Sequence, residues 1–296
     1  MLVRQKCLLY MIERAGRPVS HLELTKWAFL LAREMPTGGG SSFYDFVPYH
    51  YGPFSFTLFH EAGALVRDGY LREDAERKTW ERVQDVVSGT AALPSDVERD
   101  AARVVDRFVA KKGDGLLDYV YGEFPWYSVN SRKRRLAERP AGELAVHTVG
   151  YERWSVDRLL DELMRRGITR IVDVRSSALA RRYGFHKSTL RNLASKVGLG
   201  YVHIPELGIP SEQRRGLGSP RDYQQLFSHY EHHILFSKRA AVERVARLVR
   251  EQPSVLLCME ADPAFCHRTH LAKAVSGITG LPVRDVRGTR CALVSS

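Results

Sequence analysis

Cysteine is scarce in this chain: four among 296 residues, at positions 7, 258, 266 and 291. Scattered in this way they do not form the framework of a disulfide-stapled secreted domain. Long hydrophobic runs are missing as well, since none approaches the roughly 20 apolar residues that span a bilayer. The opening stretch "MLVRQKCLLYMIERAG" mixes acidic and basic side chains in a helical pattern and offers no small-residue cleavage site, which argues against a signal peptide. No internal repeat and no low-complexity segment interrupts the chain. These absences leave a cytoplasmic globular protein with no membrane partner as the expectation. Negative charge is short too: 34 Asp and Glu face 45 Lys and Arg, for a formal net charge of +11. A surplus of that size attracts polyanions and favours double-stranded DNA as partner. Nothing in the sequence signals an oligomeric state.

What is present divides into three stretches. In residues 1–84, Leu8, Leu9, Met11 and Ile12 share one helical face. Ser20 followed by Glu23 is a capping box, opening a second helix with Leu22, Trp27, Leu30 and Leu31 inward. After "MPTGGGSS" comes the aromatic, extended "YDFVPYHYGPFS", then a helix closed by Gly69 and two strand-like pieces, "YLRED" and "KTWERVQ", able to pair antiparallel. This is the element order of a winged helix-turn-helix, in which a helix enters the major groove and a wing grips phosphates. The segment "TKWAFLLARE…YDFVPYHYGPFSFTLFHEAGALVRDGYL" resembles a group of prokaryotic winged-helix domains. Their aromatics build a core, which is the expectation for Tyr49, Tyr51 and Phe54. Residues 85–140 read as two further helices and a basic linker, with Arg132, Lys133, Arg134 and Arg135 as candidate nucleic-acid contacts.

Residues 141–296 alternate strands with helices, the signature of right-handed crossovers and a Rossmann-like parallel sheet. The expected architecture is therefore an α/β C-terminal domain preceded by an α+β winged-helix domain. In open parallel sheets sites collect at the carboxyl ends of the strands. There the first strand delivers Gly150, Tyr151 and Glu152, the second Asp173, Arg175 and Ser176, and the third Glu206 and Gly208. The fourth delivers "CMEADPAFCHR", residues 258–268.

Three chemistries compete for that stretch. Cys258 and Cys266 lie eight residues apart, against the two to four usual for structural zinc, so no metal and no cofactor is expected. Cys266 at a helix start beside His267 and Arg268 has the surroundings of an activated thiol. A phosphatase-type loop fails, because the place that follows five intervening residues after Cys258, where an arginine is needed, is Ala264. Carboxylates offer the third reading: Glu260 or Asp173 as catalytic acid or base, His267 orienting or protonating a leaving group, and Arg175 and Arg268 on phosphates. Tyr151 and Tyr183 are placed to stack on a base.

Segment 146–286, with "HTVGYERWSVDRLLDELMRRGITRIVDVRS", "GYVHIPELG" and "CMEADPAFCHRTHLA", resembles a prokaryotic family catalogued as domain of unknown function 488. The resemblance implies the α/β fold and points at Asp173, Arg175, Glu206, Gly208, Glu260, Cys266, His267 and Arg268. It brings no reaction with it. The economical expectation is a DNA glycosylase-like hydrolase that removes a modified or damaged base, in repair or in defence against invading DNA. The alternatives are a thiol-dependent enzyme centred on Cys266 and a winged-helix transcription regulator that senses a ligand.

Overall fold

The computed structural model describes residues 1–83 and 92–287. The chain forms two compact units that divide between Glu138 and Arg139. No helix among the described residues is long and apolar enough to cross a membrane.

The first unit begins with α1 (Val3–Ala15), β1 (Val19–Ser20) and α2 (His21–Glu34). Its capping box forms as the sequence implies: the Ser20 hydroxyl accepts from the Glu23 N–H while the Glu23 carboxylate accepts from the Ser20 N–H. The aromatic segment folds as a hairpin of β2 (Val47–Tyr49) and β3 (Gly52–Phe54), followed by α3 (Phe56–Arg67). Next, β4 (Leu71–Asp74) pairs antiparallel with β5 (Thr79–Arg82), whose far edge takes β1 to give a three-stranded sheet. Two more helices, α4 (Ser95–Phe108) and α5 (Asp114–Glu123), bury Val104, Phe108, Leu116 and Tyr121 in the same core as Trp27, Phe29 and Trp80.

One expectation for this unit needs correction. Tyr51 is not a core residue: it is 46 % exposed at the hairpin tip. Tyr49 and Phe54 are only half-buried and line a cavity of about 380 Å³ together with Lys26. Phe29, Phe46 and Tyr127, which pack edge to face, occupy the interior instead, leaving the hairpin rings on its rim.

The second unit runs β6 (Val146–Gly150), α6 (Val156–Arg165), β7 (Arg170–Asp173), α7 (Lys187–Lys196) and β8 (Gly200–His203). Then come α8 (Pro220–His229), α9 (Arg239–Glu251), β9 (Ser254–Cys258), α10 (His267–Thr279) and β10 (Val283–Asp285). The apolar pattern over 221–251 predicts one long helix, and the structure has two α-helices there, joined by a wider turn at Tyr230–Leu235. All pairings are parallel and the strand order is β10-β6-β9-β7-β8. Val146, Val172 and Leu256 from three strands are fully buried against Val245, Val249, Leu271 and Val275, from α9 and α10. This is the Rossmann-like parallel sheet expected from the alternating pattern. Because every strand runs the same way, Gly150, Asp173, His203 and Cys258 all reach one edge of the sheet.

Candidate functional site

The chain crosses itself closely at that edge. A Cβ on Gly150 would lie 1.7 Å from the carbonyl oxygen of Glu260, and one on Gly208 would lie 1.9 Å from the Ser176 amide nitrogen. Glycine is therefore required at both places so that neighbouring loops can touch, which is a structural role. Glu152, exposed, accepts from the Ala261 N–H at 3.0 Å and fastens the first loop to the turn after β9.

Asp173 and Arg175 form a closed network. Asp173 is completely buried and accepts from Arg175 Nε at 2.8 Å, Arg175 Nη2 at 2.5 Å and the Tyr201 hydroxyl at 2.6 Å. Arg175 also donates to the Tyr151 hydroxyl and the Phe185 carbonyl. Tyr151 stacks on Phe185 with ring centroids 4.0 Å apart. The expected roles change accordingly: Asp173 is not placed to meet a substrate, Arg175 has spent its donors inside the protein, and the Tyr151 ring has a partner already. The same holds for Arg268. Fully buried, it donates to the carbonyls of Glu260 and Ala261 and sits 3.7 Å from Asp285, so it shapes the turn and does not reach out to phosphate. Glu206 is exposed on the 3-10 turn Pro205–Leu207, away from the cavity described next.

That cavity, of about 410 Å³, opens at the carboxyl edge of β9. Glu260, His267 and Cys258 form one wall, Ser176 and Arg175 another, and the rings of Tyr223, Phe227 and Phe265 a third. The helix start follows the sequence reading: β9 ends at Cys258, and α10 begins at His267 with Cys266 as N-cap. In between, the turn folds back so that two residues eight apart in sequence become neighbours. Both thiols lie 3.0 Å from Glu260 Oε2, while Arg214 pairs with Oε1. Burial opposes ionisation of Glu260, but Arg214 and the two thiols outweigh it and hold the carboxyl down at about 2.

Cys266 is fully buried. Burial first, and then its contact with Cys258, push its thiol well above the ordinary range, which is the reverse of an activated nucleophile. His267 is nearly as buried, and its Nε2 lies 3.1 Å from the Val174 carbonyl. A carbonyl only accepts, so Nε2 carries a hydrogen, and Arg214 Nη2, which only donates, faces Nδ1 at 2.7 Å, so Nδ1 turns a lone pair toward the cluster. Protonation of a leaving group by His267 finds no support in this arrangement.

Sequence reasoning missed Arg214 altogether. It comes from the polar loop after β8, "PSEQRRGLGSPRD", and a loop following a parallel strand was the signal available. The basic residues Arg132, Lys133, Arg134 and Arg135 are all exposed in the other unit, where Lys133 lies 3.1 Å from Asp114 and Arg134 3.8 Å from Asp118.

Residues 155–275 match the family model described as domain of unknown function DUF488. The match runs from α6 to α10 and takes in Arg214 and the whole turn after β9, leaving out β6 and β10. No curated protein and no solved structure matches the chain.

Proposed function

We propose that the C-terminal unit is a hydrolase that cleaves an N-glycosidic bond in DNA, releasing a modified or damaged base. The observation that carries this reading is a carboxylate, Glu260, on the wall of a cavity that is otherwise aromatic on one side and polar on the other. A pocket of about 410 Å³ lies within the range that takes small ligands, and rings such as Tyr223 and Phe265 suit the faces of an extruded base. In the reaction a water oxygen bonds to C1′ as the C1′–N bond breaks. The water's proton passes to the Glu260 carboxylate, and the departing base takes the electron pair of the broken bond and then that proton. Arg214 keeps the carboxylate ionised and oriented.

The N-terminal unit is proposed as the DNA-binding part. Support comes from three helices with an antiparallel β4–β5 pair in winged-helix order and from the exposed Arg132–Arg135 run. Affinity for duplex DNA should accordingly fall steeply with salt as counterions are released.

The test is incubation of the protein with a panel of natural and base-modified DNAs followed by abasic-site detection. Product is expected from at least one modified substrate, with Glu260→Gln binding that DNA normally but leaving no abasic sites. Product formed equally well by Glu260→Gln, or abasic sites from no DNA in the panel, overturns the reading.

A further inference from the structure

Cys258, Glu260, Cys266 and His267 each bring a potential ligand atom into a space where all four atoms lie within 4.8 Å of one another. Three independent features of this cluster concern a cation. The first is the tautomer of His267: its Nε2–H is committed to the Val174 carbonyl, so its Nδ1 lone pair faces Cys258 Sγ at 3.7 Å. A ring nitrogen pinned by a backbone carbonyl, with the other nitrogen pointing inward, is how proteins orient metal-binding histidines. The second is the pair of sulfurs, both 3.0 Å from one carboxylate oxygen although they come from a strand end and a helix cap. The third is Arg214, which lays its guanidinium against His267 Nδ1 at 2.7 Å and against Glu260. The cluster already draws one cation. Its hold on that arginine is incomplete, since Arg214 Nε is buried with no partner among the described residues and the side chain is 27 % exposed.

We propose that Cys258 Sγ, Cys266 Sγ and His267 Nδ1 bind one zinc-class divalent metal ion, with Glu260 beside the fourth, cavity-facing position. Two sulfurs and an imidazole select zinc and its neighbours over magnesium or calcium, which want oxygen. Three protein ligands and an open place are the pattern of a catalytic zinc, whereas structural zinc has four. The geometry fits the open form: Cys266 lies behind, while Cys258, Glu260 and His267 line the cavity. Arg214 swings out as the metal enters, and Glu260 is left next to a metal-bound water. The argument from spacing fails here because it counts residues along a chain that a strand, a tight turn and a helix cap fold back on itself. Metal binding stands apart from the glycosidic reading, since a metal-bound water beside a carboxylate serves hydrolysis of any bond.

The experiment uses the full-length protein, stripped with a chelator and titrated with Co²⁺, with Zn²⁺ measured by competition and elemental analysis. The expected result is one ion per chain, with intense d–d bands of a tetrahedral site and thiolate-to-cobalt charge-transfer absorption. Cys258→Ser, Cys266→Ser and His267→Ala should each weaken binding more than tenfold. A Cys7→Ser/Cys291→Ser variant, which removes the other two cysteines, and Glu260→Gln should bind as the wild type does. Because the wild-type spectrum alone reports the sulfur ligands, the test survives a variant that fails to fold. No stoichiometric uptake, or a cobalt spectrum without thiolate absorption, overturns the proposal. Loss of binding in Glu260→Gln overturns the three-ligand assignment. None of these readouts needs DNA, so a failed glycosylase assay and a failed metal site are separate results.

Discussion

Two arginine–carboxylate pairs sit at the ends of adjacent strands, and they differ in how much of their hydrogen-bonding capacity the protein itself consumes. Asp173 and Arg175, after β7, are 0 % and 6 % exposed and are saturated by each other, two tyrosine hydroxyls and a carbonyl. Glu260, after β9, and Arg214, from the loop after β8, are 21 % and 27 % exposed, face a cavity and keep company with two thiols and an imidazole lone pair. The residue types are the same. The first pair is a fastener, because a fully satisfied charge has nothing left to offer a ligand. The second is a site, because its atoms converge on space that a ligand can enter.

The sharpest way to break this contrast is to remove one carboxylate at a time. Asp173→Ala leaves the Arg175 charge buried without its partner, which costs about 3–5 kcal/mol, read as a lower urea midpoint for the C-terminal unit. Glu260→Gln removes a partly exposed pair, with a stability change of about 1 kcal/mol or less. It should still lower turnover by about 10²–10⁴-fold, as expected for loss of a general base. If Asp173→Ala proves stable and inactive while Glu260→Gln is unstable and active, the two roles are reversed.

The loops that hold the fastener in place give the next largest effect. Gly208→Ala would put a methyl group 1.9 Å from the Ser176 amide nitrogen, a backbone atom that cannot step aside. The cost should be about 3 kcal/mol, at the upper end of overpacking effects. Gly218→Ala, where nothing lies within 4 Å, should fall within about 0.5 kcal/mol of wild type. Equal melting temperatures for the two variants would show that the loop from Ser176 and the loop at Gly208 do not depend on that contact.

Much of this was legible in the sequence, and the limits have identifiable causes. Short apolar strands alternating with helices announce the parallel sheet, and the Ser20–Glu23 capping box announces the start of α2, because both are local signals. The rule that chemistry gathers at strand ends brings Asp173, Arg175, Glu260, Cys266, His267 and Arg268 to one edge. It does not tell which of them look outward, since burial depends on partners from elsewhere: Tyr201 and Tyr151 for the Asp173–Arg175 pair, and the Glu260 and Ala261 carbonyls for Arg268. Arg214 escaped for the same reason, being one basic residue among several in a long loop until the fold lays it against Glu260. The convergence of Cys258 with Cys266 was hidden by sequence distance, which a turn cancels.

A third buried cation, in the other unit, extends the comparison to a case with no carboxylate. Lys26 on α2 is 2 % exposed and its Nζ donates to the Pro53 carbonyl at 2.8 Å. Burial alone lowers it to about 7, from 10.5. In the unfolded chain the amine stays protonated up to its ordinary value, so between pH 7 and 10.5 the unfolded state binds more protons. Stability must then rise with pH across that window, by at most about 1.4 kcal/mol per unit. Cys7, pushed up to about 12 by burial, works in the opposite sense once its unfolded value near 9 is passed, which leaves pH 7 to 9 as the clean interval. The measurement is urea unfolding in a Trp154→Phe background, where Trp27, Trp80 and Trp126 all report on the N-terminal unit. Lys26→Met should flatten the rise seen with Lys26. At pH 9 the variant should be about 1 kcal/mol less stable, for the lost hydrogen bond to Pro53. At pH 6 the order should narrow or invert, because there the wild type carries a buried, uncompensated charge. A parallel pair of stability curves across pH 6 to 9 would mean that Lys26 stays protonated in the fold, with water or a partner supplying what the Asp173–Arg175 pair supplies for itself.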